Sequence, residues 1–371
     1  MFVRSFLTAR IFRSTPRSLF PVRETSPPHL IIQTPFLCLR PLHSPMSTTS
    51  ISSSFNYEPF APGTLLKGDS GRSYEIEQIL SDRRNPLLCV YRAKAGTVKY
   101  IVKNMIKGEF EYQMELQKSV STSPNVRTVI DTHREFEMFI YPFLIDDMLH
   151  FSQKELSMKA RKEILRSALR GLADLHENNI LHNDIKPNNI LVDYEGVIGG
   201  DVTIKSIQIS DLEDAVVVPP GKFLRGPLCG NQLWRSPESW ARSRQNQASD
   251  IFSFGIMMIY VMLNEMAFLV SDDELNAEDS WRYILRRHLS YFADKDGFNG
   301  FLQHIGEDNP FYERVISLAN DFPPGNRRQP FDSRDYVDPV FKDLVITMTR
   351  LDPALRITAQ EALNHQWFGQ T

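Results

Sequence analysis

The segment Ile180-Leu-His-Asn-Asp-Ile-Lys-Pro-Asn-Asn-Ile-Leu-Val192 constrains this chain more than any other. Ahead of it, Ala160 to Glu177 places Ile164, Leu165, Ala168, Leu169, Leu172 and Leu175 on one helix face. Behind it, Ile190 to Val192 opens an apolar strand. A helix that must bury one face and a strand that must join a sheet therefore flank a loop holding His182, Asp184, Lys186 and Asn189. An Asp or Asn alone in a loop is usually a turn former. An ordered set of base, acid, cation and amide, fixed at both ends by regular structure, has the makings of a site.

With 371 residues and 42% hydrophobic side chains, the chain can fill a sizeable core. Its formal charge is −3, and the first 50 residues carry six arginines against the single acid Glu24, so the remainder is the more acidic part. Such a body lacks the clustered basic surface of a nucleic-acid platform, and no nucleic-acid partner is expected. No membrane partner is expected either, because the most apolar stretch, Ile251 to Val270, is broken by Ser253, Asn264 and Glu265. Cys38, Cys89 and Cys229 have no metal-ligand spacing.

Residues 1–56 are rich in Ser, Thr and Pro without a sustained period and read as a disordered or targeting segment. Their Arg-rich start has the composition of a mitochondrial presequence, yet Phe6 falls among Arg10, Arg13 and Arg17 on the wheel and Pro16 interrupts it. A cytoplasmic location is expected, with the mitochondrion as the alternative and Met46 as an alternative start. Residues 57–145 form a small, mostly β unit, with strands at Leu87 to Tyr91 and Lys99 to Val102 and one helix from Glu109 to Val120. Residues 146–371 turn helical, including a nearly all-apolar helix from Asp250 to Leu263. The expected class is α+β.

In the segment 180–192 the chain resembles the eukaryotic-type protein kinase superfamily, with His182-Asn183-Asp184 in place of His-Arg-Asp and Asn189 five residues beyond Asp184. Further motifs follow in family order. Asp211-Leu-Glu213 stands for Asp-Phe-Gly, Ser236-Pro-Glu238 for Ala-Pro-Glu, and Asp250 opens the central helix. Arg356 begins the closing helices, and the resemblance spans roughly Tyr57 to Phe368. It implies a two-lobed fold with a β-rich N-lobe and a larger helical C-lobe. It also implies ATP and Mg2+ as cofactors and a protein substrate phosphorylated on Ser or Thr, since Lys186 follows Asp184 as in serine/threonine kinases. The implied roles are Asp184 and Lys186 in catalysis, Asn189 and Asp211 on the metal, and Lys103, Val90 and Leu191 on ATP. His182, Glu238, Asp250 and Arg356 are implied to be structural, with Arg356 pairing Glu238. Phosphoryl transfer calls for such groups because charge spreads over phosphate oxygens, so catalysis is positioning plus cation placement.

Several positions depart from the family. The three glycines of the phosphate lid would fall at Arg83, Asn85 and Leu88, none of them glycine, so backbone amides approach phosphate less closely there. Gln113 takes the place of the ion-pairing glutamate in the best register, with Glu111 and Glu115 as rivals. Ile101 tightens the adenine pocket. Asn183 replaces the arginine that pairs with an activation phosphate, and the only hydroxyl between Asp211 and Pro237 is Ser236. Asn231 stands where the family's threonine hydrogen-bonds the catalytic Asp, and Val216 to Val218 with Phe223 are the expected anchors of this segment. A pseudokinase scaffold is the first alternative. A small-molecule kinase resembling choline or aminoglycoside phosphotransferases is the second, disfavoured by Ser-Pro-Glu and the Arg356 helix.

Overall fold

The computed structural model describes residues 58–84, 87–196, 202–226 and 228–369. The expected disordered or targeting segment and Asn85 lie outside them. They form two compact units, one of residues 58–110 and 129–143, the other of residues 111–128 and 144–369.

In the first unit, β1 (Leu65–Lys67), β2 (Ser73–Arg84), β3 (Leu87–Ala95), β4 (Val98–Asn104), β5 (Asp131–His133) and β6 (Met138–Pro142) make one antiparallel sheet ordered β1-β2-β3-β4-β6-β5. Strand side chains alternate between faces, which builds the core. Tyr74 and Ile76, Cys89, Tyr91 and Ala93, Tyr100 and Val102, and Met138 and Ile140 lie two apart and pack into one cluster. The two sheet edges are stitched together. Asp69 N donates to Thr132 O at 2.7 Å, and Asp131 accepts from Ser70 N at 3.0 Å and Tyr74 OH at 2.8 Å. Gly68 is required there, because a Cβ would strike the Asp131 carboxylate. The expected strands are the first half of β3 and the middle of β4, whereas β1 and the 12-residue β2 carry no continuous apolar run to mark them.

Helix α1 (Phe110–Ser119) belongs to the second unit from Glu111 onward. There follow β7 (Asp146–Asp147), α2 (Met148–Phe151) and α3 (Met158–Glu177). Ser157 caps α3, its Oγ accepting from Ala160 N at 3.1 Å, and all six expected apolar positions are buried. Next come β8 (Ile180–Leu181), β9 (Ile190–Gly196), β10 (Val202–Ile209) and β11 (Val216–Val217). Strand β9 lies between β10 and β7, and β11 pairs with β8. Beyond the short α4 (Pro237–Trp240), α5 (Gln247–Leu263) is buried from Ser249 to Val261, as a helix apolar all round must be. Helices α6 (Asp272–Asn276), α7 (Ser280–Phe292), α8 (Lys295–Ile305), α9 (Tyr312–Asn320), α10 (Pro339–Met348), α11 (Ala359–Leu363) and α12 (Gln366–Gly369) complete the unit. The α+β reading holds, with strands concentrated early and helices late. Among the described residues no helix is long and apolar enough to cross a membrane.

Candidate active site

The loop between β8 and β9 is fixed by Asp250, in the first turn of α5. Asp250 Oδ2 accepts from His182 N at 2.7 Å and Oδ1 from Asn183 N at 3.0 Å. His176 Nε2 lies 3.1 Å from Oδ2. His182 is fully buried, and its Nδ1 accepts from Asp184 N at 3.2 Å. That places the ring proton on Nε2, which donates to Ser210 O at 3.0 Å. One imidazole thus ties the backbone of Asp184 to the residue preceding Asp211. His182 and Asp250 thus fix the backbone of the loop.

The Asp184 carboxylate is gripped on both oxygens. Oδ1 accepts from Asn231 N at 2.9 Å, while Oδ2 accepts from Asn189 Nδ2 at 3.2 Å and pairs with Lys186 Nζ. Asn189 Nδ2 also donates to Asp184 O at 2.8 Å. Both hydrogens of that amide are therefore spent on Asp184, leaving Oδ1 as what Asn189 offers a metal. Asp211 follows β10 by two residues and lies in the left-handed region, φ 67°, which Asp tolerates better than most residues.

Charge around Lys186 is dense. Burial alone would lower its pKa, but Asp184, Asp211 and Asp214 outweigh burial and raise it. Asp214, absent from the sequence expectations, is pushed up to about 7, first by burial and then by the charges of Asp184, Asp211 and Glu213. This oxygen-rich, net-negative group of side chains suits a hard divalent cation, and the expected pair of Asn189 and Asp211 fits Mg2+.

The other expected residues separate by unit. Lys103 and Val90 are direct cross-strand partners on β4 and β3 of the first unit. Leu191 lies on β9 of the second, opposite Asp147. On α1, Gln113 is 2% exposed, whereas Glu111 and Glu115 are exposed. Gln113 Nε2 donates to Glu213 O at 3.1 Å. Glu238 and Arg356 form a fully buried bidentate pair at 2.7 and 2.8 Å, with Ser249 Oγ donating to Glu238 at 2.7 Å. Burial would raise the Glu238 pKa, but the guanidinium overrides it and holds the carboxyl at about 2.

Two expectations are refined. Asn231 meets Asp184 through its backbone N–H, because its side-chain Oδ1 accepts from Leu233 N at 3.0 Å. Val216 and Val218 pack on Leu181, with Leu224 against the cluster, but Val217 between them is 48% exposed, since strand neighbours point to opposite faces. Phe223 is 37% exposed and lies beneath the Arg244 guanidinium at 5.4 Å, a surface contact. Gly230 and Arg235 also went unread. Gly230 has φ 75°, and a Cβ there would meet Asn183 O at 2.5 Å. A glycine just before the Asn231 position was the available signal.

The chain is 26% identical over 275 residues to an Aurora kinase of Eremothecium gossypii, covering 72% of this chain and 65% of that one. It is 39% identical over 119 residues to the serine/threonine-protein kinase pakG of Dictyostelium discoideum, covering 31% of this chain and 9% of that one. The chain thus spans less than two thirds of the length of these relatives. Among solved structures, the yeast RNA Pol II CTD kinase complex shares the fold, with a TM-score of 0.60 at 18% identity, covering 76% of this chain and 90% of that one. Residues 88–368 match the family model for the protein kinase domain, so this chain belongs to the protein kinase family.

Proposed function

We propose that this chain transfers the γ-phosphoryl group of ATP to Ser or Thr hydroxyls of protein substrates. The observation that carries this reading is the grip on Asp184, whose two oxygens are held by Asn231 N, Asn189 and Lys186. A carboxylate fixed in this way can orient a hydroxyl and accept its proton as the oxygen attacks phosphorus. Lys186 carries the positive charge beside it to receive the γ-phosphate. Asn189 Oδ1 and the Asp211 carboxylate would hold Mg2+, which when bound neutralises phosphate charge. On the first unit, Lys103 and Val90 would meet the nucleotide.

One observation favours a second reading, a nucleotide-free scaffold. Gln113, in place of the family's glutamate, spends its amide on the Glu213 carbonyl and brings no charge to an ion pair. Thermal shift with ATP, with and without Mg2+, followed by transfer of labelled phosphate to a generic Ser/Thr substrate, tests both. Mg2+-dependent stabilisation with transfer supports the kinase reading. Neither shift nor transfer would establish the scaffold.

A further inference from the structure

Arg235 directly precedes the Ser236-Pro237-Glu238 motif, and its guanidinium is poorly neutralised. Of its five N–H donors, Nη2 donates to Gly230 O, and the group lies 4.6 Å over the Trp240 ring. Its Nε is buried with no acceptor among the described residues. No carboxylate among them stands within ion-pair distance, and Glu238, three residues on, is consumed by Arg356. Burial lowers the Arg235 pKa to about 10, opposed by the charge of Asp184 and reinforced by that of exposed Arg242. The group stays charged at neutral pH. A half-buried cation with an idle buried donor and a second cation nearby is a costly arrangement that an anion would relieve.

Its position gives that anion a source. Gly230, which accepts from Arg235, is followed by Asn231, whose N–H holds Asp184. A hydroxyl presented to Asp184 thus brings its sequence neighbours to Arg235. The chain cannot supply the anion as a phosphate of its own here. Between Asp211 and Pro237 the only hydroxyl is Ser236, which is 1% exposed and caps α4.

We propose that Arg235 is a specificity-determining residue that receives an anionic side chain, carboxylate or phosphate, next to the phosphoacceptor of the protein substrate. This rests on the reading of Asp184 as the residue that holds the acceptor hydroxyl. The planar fork suits either group through paired N–H···O bonds.

The test uses the full chain and three labelled Ser peptides, identical but for Glu, Gln or phosphoserine beside the acceptor, in binding by fluorescence anisotropy and in initial rates. Glu and phosphoserine peptides should bind about tenfold tighter than the Gln peptide at low salt. The advantage should shrink at high salt and vanish in Arg235→Gln. A larger gain for phosphoserine than for Glu assigns the site to a previously phosphorylated substrate, and equal gains assign it to acidic residues. Equal binding and equal kcat/KM for all three peptides by the wild type overturns the proposal, and this comparison needs no variant. Transfer without acid preference would sink the anion site while the kinase reading stands. Acid-selective binding, lost in Arg235→Gln, without transfer to any peptide would do the reverse.

Discussion

Asn231 holds Asp184 through its main chain, N–H to Oδ1 at 2.9 Å, while its own side chain is turned back on Leu233 N. What this contact needs is the backbone path, and that path is set by Gly230 at φ 75°, where an added Cβ would strike Asn183 O. Asn231→Ala should therefore keep the bond to Asp184 and lower kcat only a few-fold, with about 1 kcal/mol lost from the broken side-chain turn. Gly230→Ala should cost more than tenfold in kcat, because a Cβ strains the left-handed backbone and pushes the turn off Asn183. Kinetics of the two variants on one peptide check this. A larger loss in Asn231→Ala than in Gly230→Ala would return the role to the side chain.

Asp184 and Asp211 should fail differently. On the proposed reading Asp184 holds the acceptor hydroxyl, so Asp184→Ala should cost about 10² to 10⁴ in rate, with nucleotide binding little changed. On the same reading Asp211→Ala removes a charged oxygen ligand and should weaken Mg2+-ATP binding itself. Titration calorimetry with Mg2+-ATP alongside initial rates separates the two. Unchanged nucleotide affinity in Asp211→Ala would take it off the metal.

How much of this was legible in the sequence depends on what each residue's role rests on. The helix–loop–strand around Asp184 was readable because α3 has a clean apolar face and the loop residues are four distinct chemical types in fixed order. Glu238 and Arg356, 118 residues apart, were readable only through the resemblance. Hidden were features that depend on backbone path. These are the left-handed turns at Gly230 and Asp211, the main-chain bond from Asn231, and the stitching of β1 to β5 by Asp131. Asp214 and Arg235 look like ordinary charged residues in a loop. Only burial beside other charges sets them apart, and burial is a tertiary property.

The buried Glu238–Arg356 pair makes a statement about acid stability. The carboxyl sits at about 2 when folded, below the ordinary value of 4.5, so the folded chain binds its proton less readily than the unfolded chain. Its contribution is fully present above the unfolded pKa and is lost as pH falls from about 4.5 toward 2, on the order of a few kcal/mol. Denaturant unfolding at stepped pH should show that loss in the wild type. Glu238→Gln should start lower by about 3–5 kcal/mol, because Arg356 is left buried without its partner, and should decline less through that window. Parallel wild-type and variant curves would assign the acid sensitivity to other carboxyls.

The segment from Asp211 to Glu238 should hold its working shape without phosphorylation. In the phosphate-switched arrangement, an arginine before the catalytic Asp receives the phosphate and orders the loop; here Asn183 stands there and its Nδ2 donates directly to Asp214 O at 2.8 Å. The segment is also paired into regular structure, β11 on β8, with Val218 N donating to Asn179 O at 2.7 Å and Leu224 bridged to Gln245. These contacts are all in place with no charge added. Ser236, the one hydroxyl of the stretch, is buried, so a kinase could reach it only by unfolding the start of α4. Protein made in bacteria, half of it treated with a broad phosphatase, should show equal initial rates. Asn183→Ala, which removes the amide that replaces the switch, should lower activity several-fold in both halves alike. A large loss after phosphatase, traced to a phosphate between Asp211 and Glu238, would show that the hydrogen bond from Asn183 does not suffice to order the segment.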